Sequence, residues 1–222
     1  NAGDFEYTVS DGTTTITQTV SFNLSAVNDA PTASDNTLTT DEDTPVVIAT
    51  TDLGYGDVDG DDLDKITLDA IPADGTFFVD ANGNGVIDGS EALVATDEVT
   101  KAQLDANQLK FLSDANGNGT GYADFDFTVN DGTVDAAASN TITFDVTAIN
   151  DAPTAADKTL SGNEDTPIVV ATTDLDYSDT EGSDLAKITI SASPANGVLF
   201  IDADGDNEVD AGEELVDNDE VT

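Results

Sequence analysis

Apolar and polar residues alternate one by one through "ADFDFTV" (123–129), with Ala123, Phe125, Phe127 and Val129 on one face and Asp124, Asp126 and Thr128 on the other. A period of two marks a strand with one buried and one wet face. "NTITFDVTAI" (140–149) repeats the pattern with Ile142, Phe144 and Val146. Between them "NDG" (130–132), like "SDG" (10–12), supplies hairpin-turn residues that accept positive φ. "PVVIAT" (45–50), "DKITLDA" (64–70), "GTFFVD" (75–80) and "QLKFLS" (108–113) are further strand candidates. One short helix is predicted over 100–106, where Thr100 and Gln103 have capping-box spacing and Asn107 can close the last turn. Short strands divided by turns, each with a core face, predict an all-β fold built as an antiparallel β-sandwich.

The pattern is written more than once. "NDAPTASDNTLTTDEDTP" begins at Asn28, and "NDAPTAADKTLSGNEDTP" begins at Asn150. The match runs without a gap to "DEVT" at 97–100 and 219–222, and more than half of its positions are identical. "DFEYTVSDGT" (4–13) likewise matches "DFDFTVNDGT" (124–133). The expected organisation is the C-terminal strands of a preceding repeat at 1–28, a complete repeat at 29–150, and the N-terminal part of a following repeat at 151–222. Residue 1 opens on "NAGDFEYTV" and not on a leader, so the chain reads as an internal piece of a longer tandem array.

Charge changes the picture. The 222 residues hold 47 Asp and Glu against 5 Lys and Arg, for a formal charge of −42. Without a basic patch there is nothing to displace counterions from phosphates, so nucleic acid is excluded as a partner. The same sign argues against an anionic membrane surface, and no apolar run suits membrane insertion. Such charge can signal disorder, but here 38% of residues are apolar and patterned for a core. Two carboxylates 4 Å apart repel by about 4 kcal/mol at an effective dielectric of about 20. A whole domain is stable by only about 5–15 kcal/mol. Clustered acids therefore need bound cations. There is no cysteine, so neither disulfides nor thiolate sites can serve instead.

Two acidic loops supply the ligands. Calcium takes six to eight oxygens, and a twelve-residue loop can provide them from positions 1, 3, 5, 7, 9 and 12. In "DANGNGVIDGSE" (80–91) these are Asp80, Asn82, Asn84, the Val86 carbonyl, Asp88 and Glu91. Gly85 stands at position 6, where the chain turns sharply, and Ile87 at position 8, where an apolar side chain anchors the loop. In "DADGDNEVDAGE" (202–213) they are Asp202, Asp204, Asp206, the Glu208 carbonyl, Asp210 and Glu213, with Val209 at position 8. Asn207 replaces the glycine, and asparagine tolerates the left-handed conformation. The spacing resembles an EF-hand loop, but "GTFFV" before it reads as a strand, so the loop is expected without its helices. The plainer alternative is a solvated Asp/Asn/Gly turn. "DANGNGTGYADF" (114–125) reads as such a turn, because Phe125 stands where the closing Glu belongs.

A second acidic set is "DLGYGDVDGDDL" (52–63), with Asp57, Asp59 and Asp61 at alternate positions, answered by Asp179 and Glu181 in "DLDYSDTEGSDL" (174–185). "VNDAP" (27–31), "INDAP" (149–153), "DEDTP" (41–45) and "NEDTP" (163–167) complete the inventory. Singly, each reads as a polar loop. Together they resemble the cadherin-like (Ig-like) tandem repeats of large, calcium-dependent RTX-type bacterial surface adhesins, and the resemblance covers the whole chain. It implies calcium at each repeat junction, held by Asn28 and Asp29 with Asp57 and Asp59, then by Asn150 and Asp151 with Asp179 and Glu181. Glu42 and Glu164 would contribute from the first strand. Thr180, Glu181 and Ser183 stand in place of Val58, Asp59 and Asp61, a departure from the first copy.

The function this implies is a calcium-rigidified extender of a secreted or cell-surface adhesin, with neighbouring repeats as its partners and reach and stiffness as its output. Extracellular modules bind calcium with Kd on the order of 10⁻⁴–10⁻³ M. At about 100-fold excess each site adds about 2.7 kcal/mol to folding, so the same chain would be loose in a cytosol poor in calcium. Two other readings compete. A carbohydrate-binding module needs aromatic platforms, and there is no Trp and only 4 Tyr, of which Tyr55, Tyr122 and Tyr177 are candidates for weak glycan contact. A glycosidase needs two placed carboxylates, but acid pairs say little at this composition, and histidine is absent. Finally, 1–28 and 151–222 are complementary parts of one sandwich, lacking only the counterpart of about 101–117. Head-to-tail self-association by strand addition between molecules follows as a further expectation.

Overall fold

The computed structural model describes residues 3–222. The chain forms two compact units, the first running to Ala148 and the second Ile149–Thr222.

The first unit opens with a hairpin of β1 (Gly3–Ser10) and β2 (Thr15–Phe22), joined through the "SDG" turn with Gly12 at φ +88°. Asp11 Oδ1 accepts from the Thr13 and Thr14 N–H groups at 2.8 and 2.7 Å, which closes the turn. The cross-strand pairs Phe5–Val20, Tyr7–Gln18 and Val9–Ile16 share one face, and the apolar side chains on it are exposed.

Eight further strands follow: β3 (Asn36–Asp41), β4 (Val46–Val47), β5 (Lys65–Ala70), β6 (Thr76–Val79), β7 (Glu98–Thr100), β8 (Leu109–Leu112), β9 (Gly119–Asn130) and β10 (Asn140–Thr147). A 3₁₀ turn spans Thr50–Leu53, and α1 spans Lys101–Asp105. The helix starts where the capping box predicts. The Gln103 N–H donates to Thr100 Oγ1 at 3.4 Å, the Thr100 N–H donates to Gln103 Oε1 at 2.9 Å, and Asn107 takes φ +57° beyond the last turn.

The strands make two sheets, β3-β10-β9-β5-β7 and β4-β8-β6. Their inner faces share one core. Phe77 of β6 lies 4.7 Å from Phe125 of β9 between ring centroids, and Phe111 of β8 lies 4.3 Å from Phe144 of β10. Phe125, Phe127, Val129, Ile142, Phe144 and Val146, the residues that the alternation assigns to the core face, are all buried. One pairing departs from the antiparallel expectation. β3 runs parallel to β10, in register from Asn36–Ile142 to Asp41–Thr147. No hairpin ties two strands a hundred residues apart, so nothing local forces them antiparallel.

Asp35 pins the start of that pair. Its Oδ1 accepts from the Thr141 N–H at 2.9 Å and from Asn140 Nδ2 at 3.1 Å. These donors, the Thr141 N–H first, hold its carboxyl below the usual range. A depressed carboxyl contributes stability above its unfolded pKa of about 4 and loses it as pH falls through the lower folded value. Asp35→Ala is therefore expected to lower Tm at pH 7, with the gap to the parent narrowing steadily below about pH 4 in a calorimetric pH series.

In the second unit, regular pairing is limited to β11 (Ile188–Thr189) with β12 (Glu220–Val221), matching β5 with β7. Leu160, Val170, Leu175, Tyr177, Leu185 and Ile188 line an open cavity of about 410 Å³. Their counterparts Leu38, Ile48, Leu53, Tyr55, Leu63 and Ile66 all belong to or pack on the core of the first unit.

A candidate divalent-cation site in paired acidic loops

The loop 80–91 hangs from a strand pair and not from helices. Its two ends are joined by the Val79 N–H to the Glu91 carbonyl (3.0 Å) and by the Leu93 N–H to the Phe77 carbonyl (2.8 Å). Asp80, position 1, is 1% exposed. Its Oδ1 accepts from the Gly83 and Asn84 N–H groups at 2.7 and 3.1 Å, and its Oδ2 from the Gly85 N–H at 2.8 Å. Gly85 takes φ +74° there, the sharp turn expected at position 6. Asn82 Oδ1 accepts from the Asn84 N–H and Asn84 Oδ1 from the Val86 N–H. Both asparagine amides donate to Asp88 Oδ2, at 3.1 and 2.7 Å. Glu91, position 12, bridges the loop, accepting from the Ala81 N–H on Oε1 and the Asp88 N–H on Oε2. The side chains of positions 1, 3, 5, 9 and 12 are thus tied into one network, and Ile87 is half-buried.

The second loop reproduces this wiring. Asp202 accepts from the Gly205, Asp206 and Asn207 N–H groups, Asp206 from the Glu208 N–H, and Glu213 from the Ala203 and Asp210 N–H groups. Asn207 adopts φ +65°, so the turn survives without glycine. Asp202, Asp204 and Asp206 can each bring a carboxylate oxygen within 4.8 Å of the others. These are hard anionic donors with no sulfur or nitrogen among them, and they suit calcium or magnesium better than a softer ion.

A second cluster lies at the end of the first unit where β5 begins and β9 ends. Asp57, Asp59 and Asp61 also bring carboxylate oxygens within 4.8 Å of one another. Asp57 Oδ1 is capped by the N–H groups of Asp59, Gly60 and Asp61. Its Oδ2 is buried without a hydrogen-bond partner in the structure. An orphaned carboxylate oxygen beside two more acids is costly unless a cation or water meets it. Asp29 joins the cluster through its N–H to Asp59 Oδ2 at 2.7 Å, and Asn28 Nδ2 donates to Asp131 Oδ2 at 2.9 Å. Asp131 is a member that the sequence reading passed over as a turn residue. The Asn28 amide, followed by the Val134 N–H, holds its carboxyl below the ordinary range. In the second unit the Asp151 N–H donates to Glu181 at 3.1 Å and Asp179 accepts from the Ser183 N–H at 2.8 Å.

Glu42 is not brought to that cluster. It follows β3 at the other end of the sheet, where its N–H meets the Thr147 carbonyl. It is 4% exposed and accepts from Asn118 Nδ2 at 3.1 Å, in the loop 113–118 between β8 and β9. Glu164 is exposed.

Tyr55, Tyr122 and Tyr177 are half-buried rather than open platforms, and Tyr55 and Tyr122 pack against the core of the first unit. The Tyr55 and Tyr177 hydroxyls donate to the Asp61 and Ser183 carbonyls, and Tyr122 accepts from the Asp114 N–H. The stacked exposed pair Phe5–Tyr7 corresponds to buried Phe125 and Phe127, so it reads as core surface of a repeat. Comparison of the chain with protein-family profiles, curated proteins and solved structures gives no match. Among the described residues no helix is long and apolar enough to cross a membrane.

Proposed function

We propose that this chain is a calcium-stabilised extender segment of a secreted or cell-surface bacterial adhesin. The observation that carries the reading is the duplicated loop. Two sequences of different composition, one richer in Asn and one in Asp, build the same set of backbone caps and the same bridging Glu at position 12. Chemistry that survives such substitution is chemistry the loop is built for. In metal-free form the carboxylates would repel at close range, and a divalent cation removes that cost. The orphaned Asp57 oxygen supports further cation binding where a repeat begins. The role is structural: calcium holds each sandwich ordered so that repeats project a distal binding domain for adhesion and biofilm formation, and no catalytic residue is assigned.

Calcium titration followed by small-angle scattering tests this. Added calcium should raise Tm and reduce the radius of gyration of the metal-free chain, and EGTA should reverse both. Identical scattering and melting with calcium and EGTA would remove the proposal.

A further inference from the structure

The protein holds five lysines, and each pairs with an acid. Four of these pairs lie at partly exposed positions. The fifth is different. Lys110 stands on β8 opposite Phe78 of β6, and its Nζ reaches Asp80 Oδ2 at 2.6 Å. The Asp80 side chain is 0% exposed and that of Lys110 17%. The ammonium therefore neutralises the first carboxylate of the loop 80–91 from the adjacent strand β8.

We infer that Lys110 is a built-in counter-cation that sets how tightly the loop 80–91 holds a divalent ion. The inference rests on the reading of the loop as a calcium site. A fixed positive charge on the same carboxylate has two effects. It stabilises the metal-free loop by giving buried Asp80 a partner, and it repels an incoming dication, lowering affinity. The loop then folds before calcium arrives and responds only at high calcium.

Isothermal titration of the whole 222-residue chain with calcium chloride is the test, with the signal of this loop assigned by its loss in Glu91→Gln and that of the other loop by Glu213→Gln. Lys110→Met should tighten the loop 80–91 by at least about tenfold, leave the loop 202–213 unchanged, and lower Tm in EGTA. Lys110→Gln keeps a hydrogen-bond donor without the charge, and should tighten the loop as well. If Lys110 only positions Asp80, Gln restores parental affinity and Met weakens it, and the inference fails while the calcium site stands. Should neither parent nor variants show heat that Glu91→Gln removes, the site and the inference fall together. Far-UV circular dichroism of each variant in EGTA reports whether the first unit is folded.

Discussion

Glu91→Ala should melt about 5–10 °C below the parent at a calcium concentration about 100 times the dissociation constant, and the loss in EGTA should be less than half as large. The first figure combines about 2.7 kcal/mol of binding free energy with about 2–4 °C per kcal/mol for a chain of this size. The second reflects what Glu91 does without metal, which is to accept from the Ala81 and Asp88 N–H groups at 3.1 and 2.9 Å. Those bonds cross a largely solvated loop and are worth little singly. Differential scanning calorimetry on both variants in both conditions gives the comparison. Equal losses would mean that Glu91 is only a loop brace.

Phe144→Ala should be the more damaging change, costing about 3–5 kcal/mol or about 6–20 °C in the first unit. Its ring is fully buried and lies 4.3, 5.6 and 6.3 Å from those of Phe111, Phe77 and Phe125, so truncation opens a void between the two sheets. The informative control is Phe22→Ala. In the repeat alignment Phe22 corresponds to Phe144, yet it is 52% exposed on the hairpin. Its removal should change stability by no more than about 0.5 kcal/mol. Thermal melts of both variants separate the contribution of the residue from that of its surroundings. A large effect at Phe22 would show that its face is covered in solution.

The strands and the helix start were legible because local rules dictate them. Alternation at 123–129 placed four residues on the core face, and Thr100 with Gln103 closed the capping box where their spacing said they would. What escaped notice depends on distant partners. Nothing near Asn36 announces a parallel neighbour at Ile142. Lys110 reads as the wet position of "QLKFLS", and only the pairing of β8 with β6 brings it to Asp80. Asp131 carries the spacing of a turn, and its contact with Asn28 spans more than a hundred residues. β9 also begins earlier than the alternation suggests, at Gly119, because Gly119 and Gly121 read as turn residues while the β10 backbone gives them a ladder to join. Of the candidate site, the acidic positions of the loops were read from spacing alone. The backbone caps that hold them were not, since an N–H group has no letter in the sequence.

The parallel pairing of β3 and β10 has a mechanical consequence. The chain enters that pair at Asn36 and leaves it at Thr147, which lie at opposite ends of the same ladder. Tension applied along the polypeptide would load the rungs from Asn36–Ile142 to Asp41–Thr147 in shear, all together, instead of peeling them apart one after another as in a hairpin pulled at its open end. Forced rupture is governed by the unfolding barrier and not by equilibrium stability. A sandwich fastened this way can withstand a sudden pull while remaining only modestly stable at rest.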